Sequence, residues 1–346
     1  MPSIRRLCLG ILVTLALMAE SAMAENPFGI MLWPGSQDDL SLLAARARGL
    51  GVAWFRPPAV FLDRWKTGSS CAPCASPARA GLKVALTVRN GGRDYAPRRP
   101  STAPGDPEGY KRTLASVLDV WKPDILVVEN EENNPQFYQA GTTGGELAAA
   151  YLRELTLACG VAHAKGVACA NGGLSGDAAA AITWLALLER GPPETACDFA
   201  KRAFYDDANS QTGGKLCIYQ TPAQVPAALT ASLLREADLL LPVYRSAPID
   251  RVNIHWYGHD AGVFANVASV LSRATGKPVM SNEIGQWRWD ADPIFVRPLL
   301  RAAFAAGINP AIWFSIDTPA TVSLFNEDGS LRPGGKEFTH QMSGRK

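Results

Sequence analysis

From residue 28 onward the chain alternates short apolar runs with longer stretches of helical period, the pattern of successive parallel βα units. The apolar or β-rich runs are 28–33, 52–57, 82–88, 124–131, 167–173, 251–258, 278–285 and 311–317. Between them, helical spacing covers 40–50, 107–121, 145–165, 177–190, 228–241, 264–275 and 293–306. After the second run the stretch 64–80 is interrupted by Gly68, Pro73 and Pro77, and it reads as a loop with one short helix. The long stretch 191–227 reads as a decorated loop above the fifth strand and over the active face. Eight such units predict an α/β fold, a (β/α)8 TIM barrel of one domain with decorated βα loops. An open doubly wound sheet is disfavoured, because no glycine-rich phosphate loop follows the first strand.

The start of the chain changes the picture of where the protein works. Arg5 and Arg6 precede an apolar run from Leu7 to Met18, and Ala22-Met23-Ala24 has the small-x-small form of a cleavage site. Residues 1–24 are therefore expected to be a signal peptide and 25–346 the barrel, secreted or periplasmic. The apolar run is short of the roughly 20 residues that span a bilayer, so no membrane association is expected after cleavage. Of seven cysteines, Cys8 leaves with the leader and six remain. An even number in an exported chain points to disulfides, and sequential pairing (71 with 74, 159 with 169, 197 with 217) closes the shortest loops among 15 connectivities. The formal net charge of +2 offers nothing to attract nucleic acid. A monomer without cofactor is expected.

Polar residues at the C-terminal ends of barrel strands carry the candidate chemistry, because that is where such barrels place their sites. The fourth strand runs into Glu129-Asn130-Glu131-Glu132 and the seventh into Ser281-Asn282-Glu283. Two opposed carboxylates are what glycoside hydrolysis needs, one protonated toward the leaving oxygen and one ionised toward the anomeric carbon. Arg56 at the end of the second strand and Tyr257 at the end of the sixth are placed to keep one of them ionised. A metal-dependent hydrolase would want several His and Asp at strand ends, and the chain holds four His in all, so no metal site is expected. A non-catalytic carbohydrate-binding barrel is the alternative.

In this order the motifs resemble those of clan A glycoside hydrolases, across nearly the whole chain after the leader. The resemblance implies a retaining enzyme with a β-linked oligo- or polysaccharide as substrate. It implies Glu131 as acid/base and Glu283 as nucleophile, with Asn130 on the sugar 2-hydroxyl. Arg56, His255, Tyr257 and Trp313 would line the sugar site, Trp313 as its floor. Two positions depart from the pattern. Glu132 stands where many members have Pro, which leaves Glu129 and Glu132 open as acid/base, and Asn282 stands where Thr or Ser is commoner.

Overall fold

All eight expected strands form, seven of them shorter than their apolar runs and the third equal in length but displaced by one residue. The computed structural model describes residues 26–33, 39–93, 97–204, 212–285, 292–317 and 323–343. The strands are β1 (Phe28–Met31), β2 (Trp54–Arg56), β3 (Lys83–Arg89), β4 (Ile125–Val128), β5 (Ala168–Asn171), β6 (Val252–Trp256), β7 (Val279–Ile284) and β8 (Ala311–Phe314). They are parallel and hydrogen-bonded in the order β5-β4-β3-β2-β1-β8-β7-β6. Single bridges from Ala170 to Arg251 and from Leu174 to Ile254 bring β5 against β6 and round the sheet into a (β/α)8 barrel. The expected leader, with cleavage before Glu25, lies outside the described residues, as do Trp287 and Trp289. Among the described residues no helix is long and apolar enough to cross a membrane.

Ten helices of the surrounding layer matter here: α1 (Leu40–Gly49), α2 (Pro107–Trp121), α3 (Gly144–His163), α4 (Gly176–Arg190), α5 (Pro193–Ala203), α6 (Ala227–Leu234), α7 (Ala237–Ser246), α8 (Ala261–Thr275), α9 (Pro293–Ala305) and α10 (Pro333–Ser343). Their starts follow from capping chemistry. Asp106 accepts from Gly109 N with Pro107 at the first helical position, Thr143 and Glu146 form a reciprocal capping box, and Asp260 accepts from Val263 N. The single helix expected over 228–241 is two, because Arg235 and Glu236 both adopt the left-handed region (φ 46° and 63°) and break the ladder. The stretch 191–227 is also less loop-like than expected. Its helix α5 buries Ala196, Phe199 and Ala200 in the same outer core as α4, so its described part belongs to the helical layer.

The core divides into two layers by strand parity. Met31, Trp54, Ala85, Ile125, Val127, Ala170, Met280, Ile312 and Phe314 fill the barrel interior. The alternate residues, such as Phe28, Ile30, Phe55, Val84, Leu86, Leu126, Val128, Ile254 and Trp313, face the helices. The three expected disulfides are the ones present: Cys71–Cys74, Cys159–Cys169 and Cys197–Cys217. The first holds the short turns that stand in for a helix after β2, and the second ties α3 to β5.

Candidate active site

At the C-terminal mouth of the barrel, interior parity brings Arg56, Thr87, Asn253 and His255 toward one another from β2, β3 and β6. On β7 the register shifts between Met280 and Glu283 relative to β6, a bulge that lets two consecutive side chains, Asn282 and Glu283, both reach this cluster. Glu283 is the centre of it. Its Oε1 accepts from Nη1 of Arg56 at 2.6 Å and its Oε2 from the hydroxyl of Tyr257 at 2.5 Å. Arg56 is held in turn by Thr87 Oγ1 (3.0 Å to Nε), the main-chain oxygen of Asn282 (3.1 Å) and Oδ1 of Asn130 (3.4 Å).

Glu131 approaches from the end of β4. Its Oε1 is 3.1 Å from Nδ1 of His255 and its Oε2 accepts from Nδ2 of Asn134 at 3.0 Å. One oxygen of Glu131, one ring nitrogen of His255 and one oxygen of Glu283 all lie within 4.8 Å of one another. The neighbouring glutamates go elsewhere. Glu129 turns away to Arg89, Asn90 N and Ser101, and Glu132 to Tyr244 and Asn171; both are fully buried. Positive φ at Glu129 (69°) and Glu131 (42°) interrupts the strand alternation and sends the three carboxylates to three places. Of the three candidates, Glu131 is the one brought beside Glu283.

The electrostatics separate the groups. Burial would raise the Glu283 carboxyl, but the charges of His255 and Arg56 and the bonds from Tyr257 and Arg56 outweigh it and hold the pKa below the ordinary value. Burial lowers the affinity of His255 for a proton, and the charge of Glu283 with the bond and charge of Glu131 more than reverses this, so its pKa is raised. The Tyr257 phenol is pushed well up, first by burial and then by the Glu283 charge, so it stays a donor. Glu129 and Glu132 are raised by burial, only partly offset by their partners.

Five of the seven site residues expected from the sequence, Arg56, Glu131, His255, Tyr257 and Glu283, are linked by these contacts, and Asn130 joins through Arg56. Trp313 is a correction. It is 1 % exposed, belongs to the outer core and packs against Phe338 of α10 (5.9 Å between centroids), so it cannot floor a sugar site. Its neighbour Phe314 has the inward parity, lying edge-on to Trp33 (5.4 Å) and Tyr257 (5.7 Å). Trp256 likewise faces outward and stacks on Phe264, while Trp54 is interior core. Thr87, Asn171, Asn253 and Phe314 receive no role from the sequence, where their signal is a place at or near strand ends.

Glu131, His255 and Glu283 offer three donors close enough for a cation. Both oxygens of Glu283 are already taken, and the Arg56 guanidinium lies 2.6 Å from one of them, so a metal ion would meet a fixed positive charge there.

No protein-family model matches this chain, and no curated protein matches it in sequence. Solved structures match in shape. A family 30 endoxylanase from Clostridium papyrosolvens C71 superposes with a TM-score of 0.54 at 14% identity, over 92% of this chain and 72% of its own. The family 30 subfamily 8 xylanase of Clostridium acetobutylicum gives 0.52 at 12% identity, over 92% and 71%. A β-mannanase of Thermomonospora fusca, solved with mannohexaose, gives 0.50 at 13% identity, over 90% and 87%. At such identities the likeness is one of fold: this chain is a (β/α)8 barrel of the shape on which those xylanases and that mannanase are built.

Proposed function

We propose that the protein is a retaining glycoside hydrolase that cleaves a β-linked oligo- or polysaccharide, with Glu131 as general acid/base and Glu283 as nucleophile. The observation that carries this reading is that one oxygen of Glu131 and one oxygen of Glu283 lie within 4.8 Å of each other, with one ring nitrogen of His255 within the same distance of both. Inversion needs roughly 6.5–9.5 Å between them to admit a water, whereas direct attack needs about 5 Å. The fold shared with two xylanases and a mannanase supports a glycan as substrate.

The roles follow from the contacts. Glu283, kept ionised by Arg56 and Tyr257, attacks the anomeric carbon; the bond to the leaving oxygen breaks and that oxygen takes the proton of Glu131. A water then attacks the same carbon and gives its proton to Glu131, and the ester to Glu283 is released. Asn130, which accepts from Arg56, is assigned to the 2-hydroxyl next to the reacting carbon. Trp33 and Tyr257, both half-buried and packed edge-on against the buried Phe314, supply aromatic surface at the mouth. Export with loss of residues 1–24 and placement in the periplasm or outside the cell belong to the same proposal, supported by the three disulfides, and action as a monomer completes it.

The test is hydrolysis of β-glucans, mannans, xylans and bacterial exopolysaccharides by wild type, Glu131→Ala and Glu283→Ala, each checked for folding. Activity lost in both variants, with the product released first in the substrate's own anomeric form by proton NMR, supports the assignment. Undiminished cleavage by Glu283→Ala, or no cleavage of any glycan by wild type, overturns it in favour of a binding barrel.

A further inference from the structure

His255 is fully buried between the two glutamates, and what it does there depends on which ring nitrogen carries a proton. A chain of buried amides on β5, β6 and β7 decides this. Oδ1 of Asn171 accepts the main-chain N–H of Asn253 at 2.6 Å, so its Nδ2 turns the other way, onto Oε1 of Glu132 at 2.7 Å and the main-chain oxygen of Asn253 at 3.0 Å. Asn253 repeats the arrangement one strand on. Its Oδ1 accepts the main-chain N–H of Asn282 at 3.0 Å, and its Nδ2 therefore points at Oδ1 of Asn282 at 2.7 Å. A main-chain N–H can only donate, so neither amide can be turned over without setting donor against donor. The oxygen of Asn282 is thereby the atom presented to Nε2 of His255, at 3.0 Å. The side chains of Asn171, Asn253, Asn282 and His255 are all fully buried.

We propose that Asn282 is a positioning residue that locks a proton on Nε2 of His255 and so keeps a transferable proton between Nδ1 and Glu131. The inference rests on the glycosidase reading above. With Nε2 committed as donor, an uncharged ring has a bare lone pair on Nδ1, and that nitrogen faces Oε1 of Glu131 at 3.1 Å and Oε2 of Glu283 at 3.4 Å. A lone pair against carboxylates is repulsive, so one further proton must sit between Nδ1 and Glu131, on the ring or on the carboxyl. Without the Asn282 oxygen, a neutral ring protonated on Nδ1 alone would satisfy Glu131 as a carboxylate, and no proton would remain for the leaving oxygen.

The surroundings favour the locked form. The ring is faced by Glu131 from the end of β4, Glu283 from β7, Arg56 from β2 and Tyr257 from the end of β6, with the charge of Glu132 felt from behind β5. Arg56 and burial oppose a second proton, and the two active-site glutamates outweigh them. The Nε2 edge of the ring lies in the space left by Gly173, where an added Cβ would stand 2.1 Å from Nε2.

Nitrogen-15 NMR of the imidazoles tests the lock without reference to turnover, with His255 assigned among the four histidines by its loss in His255→Gln. In wild type Nε2 should be protonated at every pH, with only Nδ1 titrating. In Asn282→Leu the neutral ring should carry its proton on Nδ1, and the basic limb of kcat/KM should fall by on the order of one pH unit. Nitrophenyl glycosides, whose leaving group needs no proton, should lose much less rate in this variant than substrates with a sugar leaving group do. Asn282→Asp retains an oxygen toward Nε2 and should restore both the tautomer and the limb; it also carries the test should Asn282→Leu fail to fold. A neutral wild-type ring protonated on Nδ1, or an unmoved basic limb in Asn282→Leu, overturns the proposal while leaving Glu131 and Glu283 in place. A locked Nε2 proton in a protein that cuts no glycan would retain the lock and remove the glycosidase reading.

Discussion

Gly173 and His255 occupy each other's space: a Cβ on Gly173 would lie 2.1 Å from Nε2 of the ring, and the glycine's φ of +109° is one that side chains rarely adopt. Gly173→Ala should therefore lose about 1–3 kcal/mol of stability and most of the activity. His255→Ala in the same chain removes the steric half of the problem and leaves the backbone half. The double variant should then be less destabilised than the sum of the single ones, measured by chemical denaturation. Additive losses would mean that the ring is not what the missing side chain protects.

The acid limb of activity should be set by Glu283, whose pKa is held below the ordinary carboxylate value. Its ionised form is present above that depressed value and is lost as pH falls through it. Wild-type kcat/KM should accordingly persist to pH values at which an ordinary glutamate is largely protonated. Arg56→Met removes the guanidinium 2.6 Å from Oε1 and should move the limb upward by about 1–3 units. Tyr257→Phe removes one hydrogen bond and should move it the same way by less. A limb that stays in place in Arg56→Met would assign it to another group.

The eight strands are legible because each is an apolar run bounded by turn residues, and the candidate site is legible to the level of which strand ends bring polar residues together. What remained hidden is parity. A barrel strand is buried on both faces, so Ala311-Ile312-Trp313-Phe314 shows no alternation to say which aromatic points inward. At β4 the difficulty was different. Three glutamates within four positions could be separated only by the left-handed φ at Glu129 and Glu131, and neither residue type announces such a backbone. The bulge that brings Asn282 and Glu283 to the same cluster is equally silent in sequence, since strict alternation would put one of them on the far face.

Parity makes its own prediction at β8. Trp313 fills the outer core against Phe338, so Trp313→Ala should cost about 3–5 kcal/mol, and the milder Trp313→Phe should lower stability while leaving KM unchanged. Phe314 stands beneath Trp33 and Tyr257, and Phe314→Leu should raise KM by loosening those two rings, with a smaller loss of stability than Trp313→Ala. Thermal melts and Michaelis kinetics on the pair distinguish the two faces. A KM effect confined to Trp313→Phe would return the sugar floor to that residue.

The disulfides should differ in value for a reason the loop lengths alone do not supply. Chain entropy ranks Cys71–Cys74, separated by three residues, at about 2 kcal/mol, and the pairs separated by 10 and 20 residues at about 3 kcal/mol each. Burial separates the last two. Cys159 and Cys169 are both fully buried and join α3 to β5, the strand whose end carries Asn171 and leads to Gly173, whereas Cys217 is only partly buried at the edge of the helical layer. Replacing Cys159 and Cys169 by Ala loses the cross-link and leaves a void beside that strand, so this pair should show the largest fall in chemical-denaturation midpoint and the only accompanying loss of kcat. An equal fall for Cys197→Ala/Cys217→Ala, with kcat untouched in both, would mean that loop closure is the whole of the effect.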